Sequence, residues 1–191
     1  TGFRAQANGP DSISMGTDAG VGATSAFKEN IAIGKGAGVN VQSEQNVAIG
    51  SGAGLDIKGG PGDDGLFGKN TLVGTGSGNK LTGAQISGLG FNSLLESTGS
   101  NNVGLGSYAG WKSEGNLNIY QGNYTGSGSV GNRNVAIGNF AGNKITGDQN
   151  VFLGDKAGTD SKDSDKNIAI GLNAGKALAN VANSIAIGEL T

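Results

Sequence analysis

The sequence predicts an all-β fold, a parallel solenoid of about eleven sixteen-residue turns with two short strands in each turn. Three observations predict it. A nine-residue motif recurs along nearly the whole chain, glycine reaches 39 of 191 residues, and the repeat is too short to hold a helix beside a strand. Glycine is about 7% of an average chain and about a third of collagen. Collagen also needs it at every third position, a pattern absent here.

The motif is clearest at Asn46–Gly54 (NVAIGSGAG). It returns at Asn30–Gly38 (NIAIGKGAG), Asn102–Gly110, Asn134–Gly142 (NVAIGNFAG), Asn150–Gly158 and Asn167–Gly175 (NIAIGLNAG). Weaker copies lie at Ser12–Gly20, Asn70–Gly78, Ile86–Leu94 and Asn118–Gly126, and Ser184–Gly188 begins another. The central glycines are Gly16, Gly34, Gly50, Gly74, Gly90, Gly106, Gly122, Gly138, Gly154, Gly171 and Gly188. Their spacings are 18, 16, 24, 16, 16, 16, 16, 16, 17 and 17. Self-similarity at so constant a period marks stacked units of equal circumference. The 24-residue spacing reads as one turn with eight extra residues, an insertion near 58–69 in a single domain spanning 1–191.

Each motif position has a physical reading. The residue before the central glycine is apolar in ten of eleven copies, Gln121 excepted. The residue two before that is apolar in nine, with Thr71 and Ser87 the exceptions. These two share one face at strand period. The residue between them is usually Ala or Gly, so a five-residue strand is expected with Val/Ile facing a narrow core. The Ala/Gly face would then lie outside, smooth enough for another subunit to approach closely. Seven residues after the central glycine stand Val41, Ile57, Leu81, Ile145 and Leu178, or Ser97, Ser113, Ser129 and Ser161. They read as a second, weaker strand. Asn102, Asn118, Asn134 and Asn150 recur in register and predict a ladder, as stacked identical turns form. Solenoids need capped ends, and no segment reads as a cap.

Composition excludes several classes of function. Charged residues are 15% and the net charge is −2, which offers no clustered basic face for nucleic acid. No apolar run reaches the eighteen residues of a membrane helix. There is no Cys and no His, which removes disulfides, Cys/His zinc sites and every Ser-His or Cys-His nucleophile. No catalytic residue, metal or cofactor is expected. The chain starts at Thr1 and is read as a segment of something longer.

The nonamer N-[VI]-A-I-G-x-x-A-G at a sixteen-residue period resembles the head repeats of trimeric autotransporter adhesins, the YadA-like heads. It looks most like those of the ubiquitous surface protein type. The match covers Ser12 to Gly188. The resemblance implies a left-handed parallel β-roll, a homotrimer, and a head held on a coiled-coil stalk outside a Gram-negative outer membrane. It also implies attachment to host cells and matrix proteins such as fibronectin, laminin or collagen. No neck or heptad stalk is present. Ala-Gly stands where the family has Ser after the central motif, so a collagen specificity does not simply carry over.

Two features are candidate ligand sites. Gly59–Asp64 fits the G-G-x-G-x-D core of a calcium-binding nonapeptide. That motif works between tandem copies, and one copy reads instead as an exposed or protruding binding loop carrying Asp63, Asp64, Leu66 and Phe67. Tyr108, Tyr124 and Phe140 are each two residues after a central glycine and sixteen apart, with Trp111 nearby. They should stack as an aromatic ladder, which either grips a ligand or covers the corners of the roll. Asp160–Asp165 lacks the glycine and terminal glutamate of a calcium loop and reads as a solvated turn. The leading reading is an interaction protein. Its alternatives are a passive spacer and, further off, a carbohydrate-active β-helix enzyme, which would need wider turns and clustered acids.

Overall fold

A computed structural model describes residues 1–23, 28–59 and 68–189. It contains eleven three-residue strands: β1 (Ile13–Met15), β2 (Ile31–Ile33), β3 (Val47–Ile49), β4 (Thr71–Val73), β5 (Ser87–Leu89), β6 (Val103–Leu105), β7 (Ile119–Gln121), β8 (Val135–Ile137), β9 (Val151–Leu153), β10 (Ile168–Ile170) and β11 (Ile185–Ile187). They form one parallel sheet in strict sequence order, each strand paired with the next without a slip. No helix occurs among the described residues. The fold is therefore an all-β parallel solenoid, eleven strands joined by ten turns.

The strands are shorter than the sequence suggested, and the second wall is not a strand. That wall carries single bridges that run from Gln42 through Lys58, Thr82, Thr98, Glu114 and Val130 to Thr146, with a further one between Lys162 and Ala179. Lys58 bridges both Gln42 and Thr82, and β3 pairs directly with β4. The enlarged turn thus leaves both walls in register.

The orientation of the strand is the reverse of the one expected. The middle residue points inward: Ala32, Ala48, Leu72, Gly88, Gly104, Tyr120, Ala136, Phe152 and Ala169 are buried. The flanking Val, Ile and Leu side chains point out, with Ile49, Leu89, Ile119, Ile137, Ile168 and Ile170 all exposed. Period two separates two faces but does not say which is inside. Here the width of the roll decides. Ala at the inward strand position accompanies a large residue nine positions later on the opposite wall: Ala32 with Val41, Ala48 with Ile57, Ala136 with Ile145, Ala169 with Leu178. Tyr120 and Phe152 instead accompany Ser129 and Ser161. Close packing fixes the sum of the two volumes, so the larger residue can sit on either wall.

A glycine between the two walls makes this possible. A Cβ on Gly142 would lie 2.9 Å from Ala136 Cβ, 3.2 Å from Phe152 Cδ2 and 3.8 Å from Ile145 Cδ1. Other turns depart from the rule. Leu72 and Leu81 are both large and both buried, and Gly88 and Gly104 leave the strand side empty next to Ser97 and Ser113, where Leu94 fills the space. Leu94 stands where nine other turns have glycine, and it takes a left-handed backbone (φ +54) to do so.

The eleven central glycines have φ between +125 and +137, a region that only glycine occupies readily. Stacking forbids a side chain there as well. A Cβ on Gly34 would meet the Gly50 carbonyl oxygen at 2.6 Å. Gly2 (φ +151) lies over Gly16 in the same way, and Thr1, Phe3 and Gln6 bond to the first full turn. The register therefore extends to the first residue, which the sequence reading did not assign to the repeat.

Two polar ladders tie the turns together. In the expected one, the backbone N–H of Asn46, Asn118, Asn134, Asn150 and Asn167 donates to Oδ1 of the asparagine one turn earlier, each at 2.9 Å. The Nδ2 groups of Asn102, Asn118 and Asn134 donate to the carbonyls of Gly115, Gly131 and Gly147 at 2.8–2.9 Å. Ile86 interrupts the ladder. The second ladder runs the other way: N–H of Ser100 to Oδ1 of Asn116, Asn116 to Asn132, Asn132 to Asp148 and Asp148 to Asp165, at 2.7–2.9 Å. The asparagines of the first ladder from Asn46 to Asn167 are buried and satisfied, as buried polar groups must be, whereas Asn116 and Asp165 of the second stand exposed.

Candidate functional site

The corner after each strand is set by the central glycine and by a left-handed residue two positions on. That second position holds Gly36, Gly52 and Gly76, the polar residues Asp18, Asn92, Lys156 and Asn173, and the aromatic residues Tyr108, Tyr124 and Phe140. The three aromatic residues have φ of +54, +50 and +56. Their backbone N–H groups donate to carbonyls of the preceding turn (Phe91, Ser107 and Asn123) at 2.9 Å. The rings are therefore stacked by the backbone spacing. Tyr108 and Tyr124 have centroids 4.6 Å apart and planes at 11°; Tyr124 and Phe140 are 5.3 Å apart at 5°.

Two more rings complete the corner. Phe91 meets Tyr108 edge-on at 5.4 Å. Trp111 packs edge-on against Tyr108 at 5.6 Å and Tyr124 at 6.3 Å. Lys112 Nζ lies 5.2 Å from the Trp111 ring centroid and 3.5 Å from Glu96, which also pairs with Lys80 at 3.4 Å. The Trp111 Nε1–H is buried with no hydrogen-bond partner among the described residues. Phe91 and Phe140 are exposed at the two ends of the rank. The sequence picked out Tyr108, Trp111, Tyr124 and Phe140, and they do come together. It missed Phe91, which is one position out of the aromatic column and joins through its edge.

Stacking alone does not explain these rings. A left-handed backbone costs a side-chain-bearing residue roughly 1–2 kcal/mol. An aromatic pair returns about 0.5–1.5 kcal/mol beyond its buried area. The two nearly cancel, and of the other turns three put glycine at this position at no such cost and four put a polar residue there, none of them an aromatic one. The stack also commits the flat faces of Tyr108 and Tyr124 to their neighbours, so edges and phenol hydroxyls are what the corner presents.

Asp63, Asp64, Leu66 and Phe67 lie outside the described residues. Among the described residues, Gln42, Asp56, Lys58, Lys80 and Thr82 line a depression of about 330 Å³. Among the described residues no group of three or more acidic side chains is placed to hold a metal ion. Asp163 and Asp165 are engaged in the ladder wall: the Asp163 N–H donates to Thr146 Oγ1 at 2.7 Å, and Asp165 accepts from Asp148.

The second candidate surface is the outer side of the sheet. Its two side-chain columns run from Ile13 and Met15 to Ile185 and Ile187 without a charged residue. Ile13, Met15, Leu89, Ile119, Ile185 and Ile187 are 41–69% exposed. The stripe runs unbroken by charge over eleven rungs, and contiguous apolar patches larger than a few hundred Å² mark interaction sites. The expectation had placed alanine and glycine here; they are inside.

These features define a class, the parallel β-solenoid repeat proteins, with an aromatic corner and an uncovered apolar sheet face. Beyond that class, comparison with known protein families, characterised proteins and solved structures found no match.

Proposed function

We propose that this chain is a non-enzymatic adhesin head, a left-handed roll that self-associates as a trimer at the surface of a Gram-negative bacterium and attaches to host matrix or cell-surface proteins. The aromatic corner carries the reading. Five rings gathered on one exposed edge, at positions where glycine is cheaper, are a binding hot spot in composition. The apolar sheet face supports self-association, since an interface of standard size buries about 800 Å² per partner. The resemblance of the repeat to trimeric autotransporter heads gives the trimer, the handedness and the location.

The test is binding of the head, fused to a trimeric coiled coil, to immobilised fibronectin, laminin and collagens. The Tyr108→Ser, Tyr124→Ser double variant runs beside it. The reading expects saturable binding to at least one of these, lost in the double variant at an unchanged melting temperature. No binding by a folded trimer would overturn it. The closed stacking of the ring faces favours a second reading, in which the rings clad the corner of a passive spacer. That reading expects the double variant to lose stability and no ligand to bind.

A further inference from the structure

The apolar sheet face is periodic, and periodicity creates a problem for self-association. Copies lying side by side along this face would match rung to rung. Sliding one copy by a single rung, about 4.8 Å, would set Ile, Val and Leu against Ile, Val and Leu again and uncover only the end rung. Burial of apolar surface is non-directional and barely distinguishes the two registers.

The face is not perfectly uniform. In the column before the central glycine, ten of eleven residues are apolar and the remaining one is Gln121. It sits on β7, inside the sheet, paired in register with Leu105 on one side and Ile137 on the other. It is exposed. The backbone of its rung is already bonded, with Gly122 N–H donating to Leu105 and Gly138 N–H to Gln121. Its carboxamide has no hydrogen-bond partner among the described residues. The other column carries its own polar marks at Thr71 and Ser87, on neighbouring strands.

We infer that Gln121 is the register key of self-association through this face; the inference rests on the reading that copies of the chain associate there. A carboxamide both donates and accepts, so it is complementary to itself. In register, Gln121 meets Gln121 of a second copy. One rung out, it meets Leu105 or Ile137, and a buried amide without a partner is strongly disfavoured. A lone polar residue in a repetitive apolar seam sets register in this way in coiled coils. Thr71 and Ser87 reinforce it, because no slip superposes all three polar rungs.

The test uses the unfused chain, whose lack of cysteine makes introduced thiols unique. Two differently tagged chains, one with Val103→Cys and one with Ile119→Cys, are co-assembled and oxidised. These positions are one rung apart. In the parent background, same-number cross-links should dominate the mixed 103–119 cross-link by about ten-fold or more, as a buried unpaired amide implies. With Gln121→Leu, a residue already present at Leu89, Leu105 and Leu153 of the same column, association should be at least as tight and the mixed cross-link should rise to a comparable level. Same-number cross-links alone in both backgrounds, or mixed cross-links already abundant in the parent, would overturn the assignment of Gln121 while leaving association intact. A single-chain mass by sedimentation at every concentration, with no cross-link of either kind, would remove association through this face itself.

Discussion

Leu94 sets two effects of opposite sign against each other. Replacing it with glycine would restore the residue found at the same position of nine other turns and relieve a left-handed backbone at φ +54. Relief is worth roughly 1–2 kcal/mol, less the extra chain entropy of glycine, about 0.5–1 kcal/mol. Against that stands the loss of a fully buried side chain. Its Cγ lies 2.7 Å from where a Gly104 Cβ would be, and its Cδ2 2.6 Å from where a Gly110 Cβ would be. Gly88 and Gly104 can supply nothing to refill the space. Truncating a buried leucine to alanine costs about 2.7–5 kcal/mol. Leu94→Gly should therefore destabilise by about 2–4 kcal/mol, with a melting temperature lowered by roughly 5–15 °C at this chain length. Urea unfolding followed by circular dichroism measures it. The pair Leu94→Gly, Gly104→Ala sharpens the test. Gly104→Ala alone clashes with Leu94, but in the glycine background it partly refills the hole, so the two changes should couple by about 1 kcal/mol or more. A Leu94→Gly protein as stable as the parent, or strict additivity in the pair, would refute the view that Leu94 fills a gap left by the glycines.

Two further predictions concern the interior. Tyr120 is fully buried and its hydroxyl has no hydrogen-bond partner among the described residues. Tyr120→Phe, the residue that Phe152 already supplies two turns on, should stabilise the fold by about 1 kcal/mol by removing an unsatisfied group. Burial pushes the Tyr120 phenol well above its ordinary value of 10.0, with the Ser113 side chain opposing. The unfolded chain thus loses this proton first, and parent stability falls as pH rises above about 10. The loss should be smaller in Tyr120→Phe, which equilibrium unfolding at pH 8 and above pH 10 would register. Asn134→Ala removes the acceptor for the Asn150 N–H and the donor to the Gly147 carbonyl. Stranding two such groups should cost about 2–4 kcal/mol and speed hydrogen exchange at the Asn150 amide; unchanged exchange there would refute a working ladder.

The period, the central glycines and the forward asparagine ladder were legible because each repeats a residue at a fixed interval. The aromatic rank was legible for the same reason at Tyr108, Tyr124 and Phe140. The inside of the roll was not. Apolarity put the flanking Val and Ile of each strand in the core, whereas the structure turns them out and places the middle residue, Ala, Gly, Leu72, Tyr120 or Phe152, inside against Val41, Ile57, Leu81 and Ile145 of the opposite wall. The signal was present as a correlation rather than a motif: Tyr120 and Phe152 are followed nine residues later by serine, Ala136 and Ala169 by Ile and Leu. The second ladder was hidden for a related reason, since Ser100, Asn116, Asn132, Asp148 and Asp165 share a hydrogen-bonding geometry without sharing an identity. Asp63, Asp64, Leu66 and Phe67 fall in a segment that is not repeated, where periodicity says nothing.

The pairing of large with small across one turn has a consequence for how such a chain can change. The two residues that must match are nine apart in sequence and belong to the same lap, and the glycine between them belongs to it as well. A lap matched in this way carries its own fit, whereas the lap of Leu94 also fills the space beside Gly104 and Gly110 of the next one. The 24-residue lap after Gly50 is accommodated without disturbing the pairing of β3 with β4. Length in this molecule is a count: every sixteen residues add about 4.8 Å of reach, so the distance at which the aromatic edge is held can be reset by whole units without redesigning anything else.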